Sequence, residues 1–317
     1  MIKWDERRLI VKVANLYYFE GWTQAQIANK IGVSRPVISK LLNKAREQGI
    51  VEIYIKDENA HTVELEQKLE KAFQLKEVIV IPTAGLTSEM VKRSIGKATS
   101  SYVSKKLDNI DSLGISWGST LSHFVQEYPF EQNRNLKIVP LVGGMGRKLV
   151  DIHSNLLAYQ LAQKMNCNCS YLYAPAMVDS IELKERLVQS DDIAMVLEEG
   201  RNVNMAIVGI GTPFKSSTMV LMDYLKDEDL LSLKKAGAVG DIGSRFYDAL
   251  GQQIEHPLND LVIGLELKDL QKIPEVIGVV VGSHKVDSIE AALKGDYLDV
   301  LITDDATAHA LLNTSIY

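Results

Sequence analysis

The chain has 317 residues, enough for about two domains, and its 46% hydrophobic and 24% charged residues are typical of a globular protein. No apolar run approaches the roughly 18 residues of a membrane span, and the N-terminus MIKWDERRLI has acids where a signal peptide would be basic and then apolar. We therefore expect a cytoplasmic protein with no membrane partner. Its two cysteines, Cys167 and Cys169, are too close for an easy disulfide and too few for structural zinc, so neither a metal nor another cofactor is expected.

The charge is unevenly distributed along the chain. Residues 1–56 carry ten Lys or Arg and five Asp or Glu, a net charge of +5, so the remainder carries −11 of the total of −6. A small basic head on an acidic body indicates a nucleic-acid-binding module attached to a domain with another ligand. The polar stretch KDENAH at residues 56–61 marks the boundary, which predicts domains at 1–56 and 57–317.

The sequence of the head predicts three helices. Apolar residues recur at helical spacing over residues 5–20, and Gly21 ends that helix. Thr23 and Gln26 form the pattern of a capping box at the start of a short second helix. Gly32 lies in the following turn, Ser34 is the expected cap of a third helix, and that helix is expected to bury Val37, Ile38, Leu41, Leu42 and Ala45.

This order of elements predicts a helix-turn-helix module for double-stranded DNA. We expect Arg35, Ser39 and Lys40 to face base edges, and Ser34, Lys44 and Arg46 to lie near phosphates. The alternating run at residues 50–55 is a candidate strand of a wing. Because one head makes few contacts, we expect a dimer that binds two half-sites. A plain helical bundle with a solvated basic face is the alternative.

From Glu77 onward, strand-like runs alternate with helical ones, which predicts an α/β domain with a Rossmann-like, mostly parallel sheet. The expected strands are 78–81, 113–115, 136–142, 171–174, 204–210, 261–265, 276–281 and 300–302. Loops of small residues follow several of them. In parallel sheets such loops gather at the carboxyl ends of the strands, where ligands bind, so they predict one shared pocket.

The stretch LGISWGSTL at residues 113–121 has two chemical interpretations. As G-x-S-x-G it matches a nucleophile elbow that exposes Ser116. As a glycine loop before a helix it is suited to a phosphate, because free backbone N–H groups and the helix dipole attract anions. A serine hydrolase would also need an acid followed by a histidine, and Asp241 with His256 or Asp304 with His309 satisfies that order.

Other loops contain charged and small candidates for the same pocket. Gly143 and Gly144 belong to GGMG, and Asp241 and Arg245 to GDIGSRF. Asp241 offers a carboxylate for sugar hydroxyls and Arg245 a cation for a second anionic group, although either also suits a structural ion pair. Lys285, in the first turn of a helix, opposes the helix dipole unless an anion binds there.

With these motifs in hand, the chain resembles the SorC family of bacterial transcriptional regulators over essentially its whole length. The matching stretches are LYYFEGWTQAQIANKIGVSRPVISKLLNKAREQGIV, GISWGSTL, PLVGGMG, GDIGSRFYDALG and VGSHKVDSIEAAL. The resemblance implies an effector domain related to sugar-phosphate isomerases, in which Gly118, Ser119 and Thr120 cradle the phosphate, Lys285 neutralises it and Asp241 meets the sugar. It also implies self-association, as a dimer or tetramer, through the effector domains.

The isomerase signatures themselves are missing. There is no D-G-A-D-E carboxylate cluster at residues 240–245, and Val142 stands where some relatives have an imine-forming lysine. The expected function is therefore a regulator of a carbohydrate catabolic operon that binds a phosphorylated sugar or polyol non-covalently and is not an enzyme. The alternative is an isomerase-like enzyme or serine hydrolase with an added DNA-binding head.

Overall fold

The computed structural model of the chain describes residues 2–51, 60–131, 135–214 and 216–314. It divides into two compact units, Met1–Ala60 and His61–Tyr317, each with a hydrophobic core of its own. None of the helices in the described ranges is both long and apolar enough to cross a membrane.

The described part of the first unit contains three helices, α1 (Ile2–Tyr18), α2 (Gln24–Ile31) and α3 (Arg35–Glu47). The capping box before α2 forms as predicted: Thr23 Oγ1 accepts the Gln26 N–H (3.3 Å), and Gln26 Oε1 accepts the Thr23 N–H (2.9 Å). Gly32 turns the chain between α2 and α3 at φ +78°. The core between the three helices includes Ile10, Ile27 and Ile38, so the order and packing are those of a helix-turn-helix module.

One local expectation for the first unit is wrong, one holds for the position of the residue only, and one is not described. Val37 is 42% exposed, because it lies beside Pro36 on the outer side of the first turn of α3. Ser34 is the N-cap residue of α3, but its side chain makes no capping hydrogen bond. The wing strand expected at residues 50–55 falls mostly on residues 52–59, which lie outside the described ranges.

In its described residues, the second unit contains nine strands, most of them parallel. The strands are β1 (Glu77–Ile81), β2 (Ser112–Ile115), β3 (Lys137–Pro140), β4 (Asn168–Cys169), β5 (Met205–Gly211), β6 (Gly240–Ile242), β7 (Arg245–Tyr247), β8 (Glu275–Val279) and β9 (Val300–Asp304). The parallel order is β1-β9-β8-β5-β2-β3-β4, and β6 and β7 form an antiparallel hairpin on the end of β5. The predicted α/β class with a Rossmann-like parallel sheet is confirmed.

Helices cover both faces of this sheet. They are α4 (Ala60–Phe73), α5 (Ser88–Lys106), α6 (Ser119–Glu127), α7 (Ser154–Met165), α8 (Ile181–Val188), α9 (Asp191–Arg201), α10 (Thr218–Leu221), α11 (Asp227–Lys235), α12 (Pro257–Asp260), α13 (Leu267–Leu270), α14 (Val286–Lys294) and α15 (Asp305–Thr314). One core joins the sheet to α5, α6 and α7, and another joins it to α4, α14 and α15. The result is a three-layer α/β/α sandwich.

The strand order reverses between β2 and β5. From β2 the chain proceeds outward through β3 to β4, then returns to the other side of β2 as β5 and continues with β8 and β9. The loops after β2 and β5 therefore leave the sheet in opposite directions and open a crevice between them, which is where open α/β sheets bind ligands.

Helix α4 covers the open edge of β1. Glu70 Oε1 accepts the Val78 N–H (3.0 Å) and Glu66 Oε1 accepts the Val80 N–H (2.8 Å). Burial raises the pKa of Glu66, with the Val80 N–H acting in the opposite direction. These two carboxylates replace the ladder partner that an edge strand lacks, and so protect this edge from pairing with another chain.

Two predicted strands are absent. Residues 171–174 follow the short β4, and the amide of Asn155 satisfies both the N–H and the C=O of Leu172 (2.9 Å each), so no strand partner is needed there. Residues 261–265 make only isolated bridges, Val142 with Gly264 and Met177 with Val262. Neither stretch is a strand, yet both bury apolar residues: Leu172 and Ala174 in the first, and Val262 and Ile263 in the second. An apolar run alone therefore does not distinguish a strand from a packed loop.

Candidate functional site

A cleft opens at the point where the strand order reverses. It is lined by residues 117–121 after β2, residues 209–211 at the end of β5, Thr218, Asp241 and Gly243 from the hairpin, Val279 of β8, and Lys285. The structure thus brings together Gly118, Ser119, Thr120, Asp241 and Lys285, five of the eight predicted effector-binding residues. Thr218 and Val279 also line the cleft, although the sequence analysis did not name them as binding residues. Thr218 is the first residue of α10, which follows the loop after β5.

The first turn of α6 forms one wall of the cleft. Gly118, its N-cap residue, has φ +137° and ψ 158°, a conformation that favours glycine. The first intrahelical hydrogen bond runs from the Ser122 N–H to Gly118 O (3.0 Å), so the N–H groups of residues 119–121 precede it and point along the helix axis. Together with the helix dipole they provide a binding site for an anion.

Asp241 and Lys285 face each other across the cleft floor. Asp241 is 5% exposed, and burial raises its pKa to about 6, against the opposing effects of Lys285 and the Ser244 N–H. Burial also lowers the pKa of Lys285, with the Asp241 carboxylate acting in the opposite direction. Lys285 Nζ donates to Ile210 O (2.9 Å), which fixes the ammonium group beside the end of β5.

The position of Lys285 depends on two residues that the sequence analysis did not assign to this role. Asp304, at the end of β9, accepts the Gly282 N–H on Oδ2 (2.9 Å) and the Thr307 N–H on Oδ1 (2.9 Å). The Thr307 hydroxyl donates to Oδ2 (2.6 Å). These bonds hold the loop after β8 in the shape that directs Lys285, the N-cap residue of α14, into the cleft.

The geometry does not assemble a serine hydrolase around Ser116. Ser116 is 2% exposed, and its hydroxyl has no hydrogen-bond partner within the described ranges. His256 contacts Ser232 Oγ (3.0 Å) instead of Asp241, and the Asp304 carboxylate is occupied by Gly282 and Thr307 rather than His309. The nucleophile is therefore buried, and neither candidate acid and histidine pair is formed.

Arg245 is a correction to the predicted site, because its side chain points away from the cleft. It is 2% exposed, and its guanidinium donates to Glu266 Oε1 (2.7 Å), Val262 O (3.3 Å) and Asn259 O. The pairing within the hairpin explains this: Arg245 is opposite Ile242, whereas Asp241 is opposite Phe246. Since neighbouring residues of a strand point to opposite faces, Asp241 and Arg245 cannot both face the same ligand.

Gly143 and Gly144 also lie outside the cleft lining, which is a second correction. The Gly143 N–H donates to Ile263 O (3.0 Å), and the Gly144 N–H donates to Ala174 O (2.9 Å). A Cβ on Gly143 would lie 2.5 Å from the carbonyl oxygens of Ala174 and Pro175. Here glycine permits two backbone segments to pack closely, and no ligand is needed to account for it.

In the first unit, Ser34 at the N-cap of α3 is exposed, as are Arg35 and Lys40 in the helix, and Ser39 is half-buried. The other two predicted DNA contacts already have partners within the unit. Lys44 Nζ pairs with Glu6 Oε1 (2.5 Å), and Arg46 Nε donates to the Tyr18 hydroxyl (3.0 Å).

No group of three or more His, Cys, Asp and Glu side chains within the described ranges is arranged to bind a metal ion. Cys167 and Cys169 are both free thiols, and burial raises their pKa values to about 11 and about 12. Neither is therefore ionised near neutral pH.

Comparison with known proteins covers both units. A family model described as a putative sugar-binding domain matches residues 57–313. The chain is 34% identical to the sorbitol operon regulator of Klebsiella pneumoniae over 310 residues, which cover 97% of this chain and 98% of the relative. It is 33% identical to the deoxyribonucleoside regulator of Bacillus subtilis over 314 residues, which cover 98% of each chain.

Solved structures agree with these relatives. The crystal structure of the full-length sorbitol operon regulator SorC from Klebsiella pneumoniae matches with a TM-score of 0.77, over 96% of this chain and 98% of that one. A DeoR family transcriptional regulator from Listeria monocytogenes is 41% identical, with a TM-score of 0.75 over 79% of this chain and 99% of that one. The family model identifies the sugar-binding domain, and the relatives match the chain over almost its full length, including the helix-turn-helix head. The chain therefore belongs to the SorC family of bacterial transcriptional regulators.

Proposed function

We propose that the chain is a cytoplasmic regulator of a carbohydrate catabolic operon, whose binding to operator DNA is controlled by a phosphorylated sugar or polyol held in the cleft. The observation that carries the proposal is the meeting of three features at one crevice: the free N–H groups of α6, the ammonium of Lys285 and the carboxylate of Asp241. The first two suit a phosphate, and the third is an acceptor for sugar hydroxyls.

Binding is non-covalent in this proposal, and the protein is not an enzyme. Val142, at the position where an imine-forming lysine would stand, is apolar and 1% exposed. The buried Ser116, without a histidine partner, offers no acyl-transfer chemistry. Two of its relatives are a sorbitol operon regulator and a deoxyribonucleoside regulator, which supports a carbohydrate-derived effector.

The head binds DNA through α3. Arg35, Ser39 and Lys40 contact base edges, and the exposed Val37 offers a methyl-sized contact to a thymine. Ser34 lies near a phosphate, and Lys44 and Arg46 exchange Glu6 and Tyr18 for phosphates when DNA is present. The active form is a dimer or tetramer, because two heads are needed to read two half-sites.

Control by the effector requires only that the ligand bind one arrangement of the oligomer better than the other. A thermal-shift screen against sugar and polyol phosphates, followed by gel shifts with operator DNA, tests this. An effector at about 100 times its dissociation constant stabilises the fold by about 2.7 kcal/mol. If no phosphorylated compound raises the melting temperature or changes DNA affinity, the proposal is wrong.

Variants of the cleft should separate the response to the effector from DNA binding. Ser119→Asp and Thr120→Glu place a negative charge at the N-terminus of α6 and should abolish the effector response while DNA binding remains. Ser116→Ala, which removes a buried hydroxyl without a partner, should leave both activities intact. Loss of DNA binding in the first two variants would show that they damage the fold and not the site.

A further inference from the structure

Lys92 lies on the buried side of α5, near the beginning of the helix. Gly96 and Thr99 follow it at four and seven residues, the spacing of one helical face, and both are buried. This face of α5 therefore includes a half-buried lysine near its N-terminal end. Because α5 follows β1, that end of the helix lies at the same rim of the sheet as the cleft.

The same side of α5 faces the start of α6. Glu89, three residues before Lys92, contacts His123 Nε2 through Oε1 (2.9 Å). A Cβ on Gly96, four residues after Lys92, would lie 2.7 Å from His123 O. His123 Nδ1 in turn contacts Ser119 O (2.7 Å), in the first turn of α6. Lys92 is therefore flanked on both sides by residues that contact α6, one turn from the predicted phosphate cradle.

The ammonium group of Lys92 is available for a ligand. It has no hydrogen bond or ion pair with any residue in the described ranges, and the nearby Glu89 carboxylate is bound to His123. The charge of Lys92 also lowers the pKa of Lys285, so the two ammonium groups are close enough to repel each other. Lys285 and the N-terminus of α6 line the cleft with one carboxylate, Asp241. Lys92 lies beside that lining, on the face of α5 that packs against α6.

We propose that Lys92 is a second cation of the effector cleft and that, together with Lys285, it selects a dianionic phosphate monoester over a monoanionic acid. The proposal rests on the proposed function and specifies the class of effector. A phosphate dianion satisfies both ammonium groups and the first-turn N–H groups of α6, whereas a carboxylate leaves one of the cations unpaired. Lys92 thereby gives the pocket its preference for a phosphorylated ligand.

Calorimetric titration of the full-length protein tests this at a pH where phosphates are dianions, with inorganic phosphate and a hexitol 6-phosphate as dianionic probes and gluconate as the monoanionic probe. Lys92→Gln should weaken the binding of both phosphates at least about tenfold and reduce their advantage over gluconate, since one charge-assisted hydrogen bond is lost. Lys92→Arg, which keeps the charge, should remain within about threefold of wild type. The matched control is Lys105→Gln, which removes an exposed lysine from the last turn of the same helix.

The melting temperature without ligand distinguishes a binding role from a structural one. Removing one of two mutually repelling cations should leave the unliganded Lys92→Gln protein at least as stable as wild type. Phosphate affinity equal to wild type in Lys92→Gln, or a fall in unliganded stability that matches the loss of affinity, overturns the assignment of Lys92. If wild type binds no sugar phosphate in the screen described above, the proposed function fails and the assignment of Lys92 fails with it.

Discussion

The Asp241 carboxylate occupies the space in which a side chain on Gly211 would begin. Oδ1 of Asp241 lies closer to the position of a Cβ at Gly211 than a non-bonded contact allows, at the point where β5 pairs with β6. This relationship explains why β5 ends in glycine: the strand must let a buried carboxylate reach the cleft floor. It also connects the sheet to the hairpin that supplies the proposed sugar contact.

Gly211→Ala should therefore displace Asp241 and weaken effector binding. Overpacking of this kind costs about 1–3 kcal/mol of stability. Chemical denaturation of wild type, Gly211→Ala, Asp241→Ala and the double variant forms a cycle that isolates the contact. In the Asp241→Ala background the glycine substitution should cost much less; equal costs in both backgrounds would show that the two residues are not coupled.

The raised pKa of Asp241 makes the stability of the protein depend on pH. The folded protein holds this proton up to about pH 6, whereas the ordinary aspartate value is 3.8. As pH falls from about 6 to 3.8, the folded state takes up a proton that the unfolded chain does not yet hold, and the protein gains up to about 3 kcal/mol.

Asp241→Asn lacks that gain. As pH falls through this window, the free energy of unfolding of wild type should rise relative to that of Asp241→Asn by up to about 3 kcal/mol. Above about pH 6 the difference between the two proteins should stay constant. Urea denaturation of both proteins at several pH values measures the difference, in which other titrating groups cancel. A difference that does not change between pH 4 and 7 would contradict the shifted pKa.

The adjacent glycines of GGMG should respond very differently to the same substitution. Gly143→Ala forces a Cβ against the backbone of residues 174–175 and should strongly destabilise the protein. Gly144→Ala finds its nearest neighbour at 4.0 Å and should be tolerated. Thermal unfolding measures both. Because neither residue lines the cleft, the effector affinity of the Gly144→Ala protein should equal that of wild type. A loss of effector affinity without a loss of stability would show that Gly144 belongs to the binding site.

The two N-caps of the head offer a matched comparison. Thr23→Ala removes a capping box that is formed and should cost about 1 kcal/mol, seen as faster hydrogen exchange of α2 in the full-length protein. Ser34→Ala removes a hydroxyl that makes no cap bond, so exchange of α3 should not change. If Ser34 contacts a phosphate, the same variant should bind all DNA sequences more weakly, without a change in preference. Faster exchange in Ser34→Ala would show instead that Ser34 caps α3.

Local patterns in the sequence determined much of this protein. Three features depend only on residues within a few positions of one another: the capping box at Thr23, the turn at Gly32 and the glycine loop before α6. They could therefore be predicted from the sequence alone. The order of strands and helices likewise predicted the parallel sheet and the rim on which Gly118 and Lys285 meet.

Tertiary structure alone decided which candidates share the cleft. Asp241 and Arg245 are four residues apart in one motif, but the pairing of β6 with β7 turns them to opposite faces, since a strand alternates its side chains. Lys92 is distant in sequence from every motif, and only the packing of α5 on α6 brings it to Lys285. The placement of Lys92 depends on contacts between segments tens to hundreds of residues apart, which no local spacing encodes.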